Sequence, residues 1–532
     1  MWWKNGVIYQ IYPRSFMDSS GDGIGDLRGA HARLDYLVDL GIDAIWFSPI
    51  FPSPQADFGY DVADYTGIHH EYGTQADFDA LLTAAHARGI KIILDLVPNH
   101  TSSAHRWFVE SRSSRDNPKR DWYIWKDPKP DGSPPNNWLS YFGGPAWTFD
   151  AHTGQYYMHN FDPGQPELNW RNPDMVAALF DDIRFWLRRG VDGFRIDVID
   201  RIIKDAEFRD NPPNPNWKPG DLEVGSLSRV HSEAAPGIHD MIRQIRAVFD
   251  EFPGTVAIGE LAYDLSVEET VAYYGAKREG ENSGDGVHMP FNFGLLLKAW
   301  RADVFRAYVD EYDAAIPSFG WPNYVLGNHD IGRIASRYGR AQARVAALLL
   351  LTLRGTPTLY YGDEIGMTNT PIPEHRVLDP QGRNKAGFNR DECRTPMQWD
   401  DSPHAGFSTA PDTWLPVAPD YPQVNVAQQR AEPSSTLNFY RRALAYRRAH
   451  ASLHGGEYAS IDAPEGVFAY WRTAGDERHL VALNFTERAQ TLTFDAAGGE
   501  LVISTHPASE GRTLDAGEVA LTADEGAIIR IR

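Results

Sequence analysis

Cysteine is almost absent from this chain of 532 residues: Cys393 stands alone, so no disulfide can form within it. No apolar run approaches the ~20 residues that a membrane-spanning helix needs. The opening MWWKNGVIYQIYPRSF has no apolar targeting core and no small-residue cleavage site, so the sequence reads as cytoplasmic. Positive charge is short too. Lys and Arg number 51 against 72 Asp and Glu, a net charge of −21, which argues against nucleic acid or an anionic membrane as partner. No internal repeat or low-complexity tract stands out. Aromatics, by contrast, are plentiful: 16 Trp and 24 Tyr. Rings with a polar edge suit sugar pockets, and they also fill cores. The length allows two or three domains.

The most informative stretch is GVDGFRIDVID, Gly190 to Asp200. Val191 to Ile196 is short, mostly apolar and bounded by glycine, as a buried parallel strand reads. Arg195 and Asp197, two apart, share one face of it. Such a pair is either a structural ion pair or a functional one. Other strands in the chain also end on charged groups. Val7–Tyr12, Asp43–Ser48, Ile90–Val97, Val191–Ile196, Thr255–Glu260, Gly286–Asn292, Asn323–Asn328 and Thr356–Tyr361 are eight strand candidates. Helical patterns separate most of them: Leu27–Gly41 with its stripe Leu34, Leu37, Val38, then Phe78–Arg88, Asp174–Arg189, His239–Phe252 and Arg340–Leu353.

This grammar predicts an α/β fold, a (β/α)8 barrel over 1–100 and 172–452. Residues 101–171 lack periodicity and carry six Trp and many Pro, and predict a loop-rich subdomain inserted after strand 3. Another Pro-rich insertion spans Asn211–Ser232. From 453 to 532 short alternating runs such as HLVALNFT and GAIIRIR predict a C-terminal all-β sandwich.

The strand ends carry His100, Arg195 with Asp197, Glu260, and His329 with Asp330. In a barrel of this kind they converge on one mouth, where catalytic groups sit. Three carboxylates without a full metal-ligand set suit glycoside chemistry: one attacks the anomeric carbon, one protonates the leaving oxygen, and the third assists the oxocarbenium-like state. Nearby anions raise the acid's pKa, as a neutral-pH proton donor needs. The rival is a metal hydrolase using His100 and His329, which the aromatic loops and Arg195 disfavour. Separately, DSSGDGIGD sets oxygen groups of Asp18, Ser20, Asp22 and Asp26 at alternate positions, like the first half of an EF-hand loop. A polar glycine-rich turn is the plainer reading. Carboxylates at that spacing repel unless a hard cation sits among them.

QIYPRSF, DLVPNH (Asp95–His100), QPELN (Gln165–Asn169), GFRIDV (Gly193–Val198), IGE (Ile258–Glu260) and LGNHD (Leu326–Asp330) resemble, in order, the motifs of the α-amylase family, glycoside hydrolase family 13. The likeness spans essentially the whole chain and is nearest the oligo-1,6-glucosidase and α-glucosidase branch. It implies Asp197 as nucleophile, Glu260 as general acid/base and Asp330 as transition-state stabiliser. It implies that His100, Arg195 and His329 contact the non-reducing glucose or the nucleophile. By the same resemblance DFGY supplies Asp57 and Tyr60, Phe142 and Phe161 line the pocket, and Arg390 precedes the RTP motif. Asp18, Ser20, Asp22, Ile24 (through its carbonyl) and Asp26 become ligands of a structural Ca²⁺, with Mg²⁺ as the alternative; Ser20 replaces the more usual asparagine. No organic cofactor is implied.

Asp57 with Arg390 would close the pocket's end by charge-assisted bonds, which predicts exo-action on short oligosaccharides. Val198 looks like the α-1,6-active members, while the RDNPPNPNW insertion resembles mixed-linkage and transglucosylating relatives. The expectation is a retaining exo-α-glucosidase, monomeric or homodimeric. A glucosyl-transferring or isomerising relative (transglucosidase, sucrose isomerase, trehalose synthase) is the alternative. A catalytically dead barrel, like the heavy chains of certain amino-acid transporters, fits poorly with three intact carboxylates.

Overall fold

The computed structural model describes residues 1–532 apart from Ala386 and Ala516. Eight parallel strands form its centre: β1 (Ile8–Ile11), β2 (Ala44–Phe47), β3 (Lys91–Leu96), β4 (Gly193–Ile196), β5 (Val256–Glu260), β6 (Met289–Phe291), β7 (Asn323–Val325) and β8 (Thr356–Tyr360). They pair in the order β7-β8-β1-β2-β3-β4-β5-β6. A parallel bridge between Asn292 and Tyr324 brings the two edges together and closes the barrel.

Strand alternation sorts the side chains. Ile8, Ala44, Trp46, Ile93, Val256, Ile258, Met289, Phe291 and Val325 share one buried cluster inside the barrel. The intervening Tyr9, Ile45, Phe47, Ile92, Leu94, Phe194 and Ile196 pack outward against the helices. The inward parity continues to the C-terminal ends. Asp95 lies two beyond Ile93, Arg195 two beyond Gly193 with Asp197 after it, and Glu260 two beyond Ile258. Gly193 is needed where β4 meets β5: a Cβ there would lie 2.3 Å from the Val256 carbonyl oxygen.

The helices begin and end on local chemistry. Helix Gln75–Ala87 starts on a capping box between Thr74 and Asp77. Helix Pro173–Arg189 is capped by the Asn172 side chain and stops at Gly190, φ 102°. The expected helix over Leu27–Gly41 is two short ones, Leu27–Ala32 and Leu34–Leu40, broken at Arg33. Arg33 leaves helical geometry (φ −102°, ψ 6°) and sets its guanidinium over the Trp399 ring, 4.2 Å away. Val38, expected on the apolar stripe, faces solvent.

Residues 101–171 are not structureless. They hold helix Arg106–Ser113 and a three-stranded sheet of Trp125–Lys126, Trp147–Asp150 and Gln155–Met158. Ile124, Trp138, Ala146, Trp147 and Met158 give it a small core of its own. The C-terminal strands form a six-stranded antiparallel sheet and a two-stranded one. Trp471, Leu480, Leu492, Leu501 and Val519 fill the space between them. Phe468, Tyr470, Val481, Leu483 and Ile528 join the larger core with the barrel helices. Among the described residues, no helix is long and apolar enough to cross a membrane.

Candidate active site

One fully buried guanidinium organises the mouth of the barrel. Nη1 of Arg195 donates to Asp95 at 2.9 Å and to Asp197 at 2.7 Å, and Nη2 lies 2.6 Å from Glu260. The ring of Trp46 lies 5.1 Å from the guanidinium carbon, and the Trp46 indole N–H donates to Asp95 at 3.2 Å. Arg195 does not line the cavity; it lies behind the carboxylates that do. Of the contacts expected for it, the one to Asp197 is present.

Three carboxylates share this single cation, so charge is not balanced. Burial, and then the neighbouring Glu260, raise Asp197 well above the ordinary carboxylate range, against the pull of Arg195. Burial lifts Asp95 to about 7. Glu260 is the neighbouring charge that acts most strongly on Asp197, and both are held by the same guanidinium. Carboxyls of a retaining glycosidase sit about 5 Å apart, against 6.5–9.5 Å for inversion. Attachment of both to one guanidinium fits the shorter spacing.

Val198 completes this corner. Its φ of 36° is left-handed, rare for a β-branched residue. The turn aims its N–H at Glu260 Oε2, 2.9 Å away. Backbone strain of this kind, about 1–3 kcal/mol, is found where a site requires it.

A second charged cluster lines the same cavity. Arg390 donates to Asp57 at 2.7 Å, to Asp330 at 3.1 Å and to Asp379 at 2.6 Å, and its guanidinium carbon lies 5.2 Å from the centre of the Phe142 ring. Arg394 adds a bond to Asp330 at 3.0 Å. Burial opposes ionisation of Asp330, but His329, Arg390 and Arg394 more than offset it, and its pKa falls below the usual range. Burial wins at Asp57, which rises to about 6 despite Arg390.

The two histidines are neutral, each pushed down to about 3 chiefly by burial. Gln10 donates to Nδ1 of His329 at 2.8 Å, which leaves the Nε2 side toward Asp330, 3.4 Å away. Asn99 donates to Nδ1 of His100 at 3.1 Å, and His100 Nε2 donates to the Tyr60 carbonyl at 3.1 Å. Tyr60 stacks flat on His329, centroids 5.3 Å apart, and donates to Asp95 at 3.0 Å. Phe161 packs against His100 at 5.2 Å and edge-on against Phe142 at 5.7 Å. Together these groups line a cavity of about 540 Å³. Asp57, Tyr60, His100, Phe142, Phe161, Asp197, Val198, Glu260, His329, Asp330 and Arg390 all reach it.

The loop of Asp18, Ser20, Asp22, Ile24 and Asp26 lies elsewhere. Asp18 accepts from the N–H groups of Ser20, Gly21 and Gly23 at 2.7–2.9 Å and from the Ser408 hydroxyl at 2.5 Å. Asp26 accepts from Ser19 and caps helix Leu27–Ala32 through the Gly29 N–H. Asp22 spends one oxygen on the Ile24 N–H. The donor set is all oxygen, the chemistry a hard cation takes.

Sequence reasoning did not single out Asp95, Gln10, Asp379, Arg394 or Arg201. Asp95 had a signal: a lone carboxylate in IKIILDLV, of the same parity as Ile93. Asp379 and Arg394 had none short of the fold, since Arg390 finds Asp57 across 333 positions of sequence.

Asp57 makes a pH prediction. Above about pH 6 it is ionised and accepts from Arg390; below, it takes up a proton and loses the charge-assisted bond. The value of kcat/KM therefore falls toward acid with an apparent pKa near 6, read from a pH profile. An acid limb confined to the ordinary carboxylate range of about 4 contradicts this.

Comparison with known proteins agrees with this geometry. Residues 10–456 match the family described as "Alpha amylase, catalytic domain", and residues 454–526 match a domain of unknown function. A probable alpha-glucosidase of Rhizobium meliloti (strain 1021) is 42% identical over 509 residues, covering 92% of this chain and 90% of its own length. An oligo-1,6-glucosidase of Parageobacillus thermoglucosidasius is 38% identical over 570 residues, covering 100% and 99%. Among solved structures, an alpha-glucosyl transfer enzyme superposes with a TM-score of 0.93 at 39% identity, over 100% of this chain and 99% of its own. The trehalulose synthase of Pseudomonas mesoacidophila MX-45 does so with 0.90 at 36% identity, over 100% of both. With the catalytic-domain match running through the whole barrel, this chain belongs to the α-amylase family of glycoside hydrolases.

Proposed function

We propose that the protein is a retaining, exo-acting α-glucosidase. It removes terminal non-reducing glucose, α-1,6- or α-1,4-linked, from short oligosaccharides. The observation that carries this reading is the pair Asp197 and Glu260 on one buried guanidinium, facing a cavity that Arg390 also closes through its ties to Asp57 and Asp330. A cavity closed this way admits a chain end and not a chain middle.

Asp197 attacks the anomeric carbon, and Glu260 gives its proton to the departing oxygen. Water, deprotonated by Glu260, then releases glucose with the starting configuration. Asp330 stays ionised beside two arginines and accepts from sugar hydroxyls as positive charge develops on the ring. Asp57, Arg390, His100 and His329 present polar atoms to the outer hydroxyls, while Tyr60, Phe142 and Phe161 supply apolar faces.

Transfer of glucose to a sugar acceptor is a second reading, favoured by the likeness to an alpha-glucosyl transfer enzyme and a trehalulose synthase. We further read 1–100 with 172–452 as the barrel domain, 101–171 as its insertion and 453–532 as the C-terminal domain. The separate small core of the insertion and the change to antiparallel pairing after residue 456 support this division. A cytoplasmic site of action and a monomeric or homodimeric state complete the proposal. So does a structural cation, Ca²⁺ or Mg²⁺, at Asp18, Ser20, Asp22, Ile24 and Asp26.

Product analysis on maltose, isomaltose, sucrose, trehalose and soluble starch tests the activity, with Asp197→Asn as an inactive control. The expected result is free glucose from isomaltose or maltose with starch barely touched. Isomerised disaccharide or longer oligosaccharides as main products overturn hydrolysis in favour of transfer. Chelation tests the cation: the melting temperature is expected to fall in EDTA and recover with Ca²⁺ or Mg²⁺. An unchanged melting temperature, with no metal found by elemental analysis, contradicts it.

A further inference from the structure

Arg201 stands four residues past Asp197, on the short 3-10 turn Ile199–Arg201, and it reaches the catalytic cavity while only 7% exposed. Unlike Arg195 and Arg390, it makes no side-chain hydrogen bond among the described residues. Its Nε has no partner, and the nearest carboxylate oxygens, of Glu233 and Asp200, lie 3.8 and 4.0 Å from that atom. Those distances are beyond hydrogen-bond reach. Glu233 is engaged elsewhere, accepting from the Tyr141 hydroxyl and pairing with Arg229 at 3.0 Å, while Asp200 accepts from the Ala262 N–H through Oδ2 at 2.9 Å and leaves Oδ1 without a partner among the described residues. The guanidinium carbon lies 4.2 Å from the centre of the Tyr141 ring and 5.7 Å from that of Phe161. The guanidinium has five donors, and none of them finds a protein partner among the described residues at the cavity that Arg201 lines.

The surroundings indicate which ligand. Arg390 and Asp57 close the end that grips the outer glucose. Glu260, the acid, must face the leaving oxygen. Arg201 belongs to Glu260's side: its neighbour Asp200 binds the N–H of Ala262, two residues beyond Glu260. An anionic ligand would meet Asp200 and Glu233 together with the guanidinium, so the local charge is already balanced. What suits the free donors is a neutral group rich in hydroxyls.

We propose that Arg201 hydrogen-bonds hydroxyls of the leaving sugar, and of the acceptor sugar when glucose is transferred. This makes it a specificity-determining residue that favours saccharide over aryl leaving groups. The proposal rests on the α-glucosidase reading above and deepens it.

The test compares maltose and isomaltose with p-nitrophenyl α-glucoside, whose aryl leaving group offers no hydroxyls to Arg201. Arg201→Met is expected to lower kcat/KM on the disaccharides about ten-fold or more beyond any loss on the aryl glucoside, the scale of one charged hydrogen bond. Arg201→Lys keeps the charge and is expected to recover part of the difference; it also serves should the Met variant fail to fold. Equal losses on both substrate types, or no loss on either, overturn the assignment of Arg201 alone. A wild-type enzyme that cleaves none of the three overturns the α-glucosidase reading and this proposal with it.

Discussion

The Arg195 guanidinium is the constraint on which the site depends. Asp95, Asp197 and Glu260 point into the top of a closed barrel, away from bulk water. Isolated carboxylates there would be prohibitively expensive. Arg195 supplies one positive charge, at 2.6–2.9 Å, to three negative groups. At an effective dielectric constant near 20, each such contact carries about 4 kcal/mol or more of attraction. The cation makes the cluster possible, yet cannot neutralise all of it. The deficit, with burial, raises Asp197 and Asp95 above the ordinary carboxylate range.

The cluster around Arg390 has the opposite balance. Asp330 receives bonds from both Arg390 and Arg394, and its pKa is depressed where that of Asp197 is raised. Carboxylates in one cavity are thereby driven apart in acidity by their surroundings. Asp330 stays ionised, as the proposed role beside an oxocarbenium-like sugar requires. Two buried neutral histidines complete the wall with N–H groups and add no further charge.

Much of this was legible from strand grammar. Runs such as DGFRID and TVAIGE are apolar until their last residues, and period-two alternation puts Arg195, Asp197 and Glu260 on the inner face. The barrel followed from eight such runs. Asp95 escaped because it lies inside the run IKIILDLV and not at its end. Arg201 escaped because DVIDRIIK gives no hint that a chain just past its strand will turn back over the cavity. The break at Arg33 comes from a tertiary contact with Trp399, which helical periodicity cannot register. The order in 101–171 rests on stacked rings, such as Phe108 on Trp125 and Trp138 against Trp147, and not on any repeat of polarity. The meeting of Asp57 with Arg390 was available only through the family motifs that carry them.

If Asp197 and Glu260 are held together by one guanidinium, the reaction must proceed by two inversions through a glucosyl–Asp197 ester. Proton NMR of the first glucose released from p-nitrophenyl α-glucoside, whose leaving group adds no second glucose, recorded before mutarotation, tests this most directly. The account predicts the α-anomer. The β-anomer as first product would contradict it, because it would require a water molecule between the sugar and the carboxylate that Arg195 places against it.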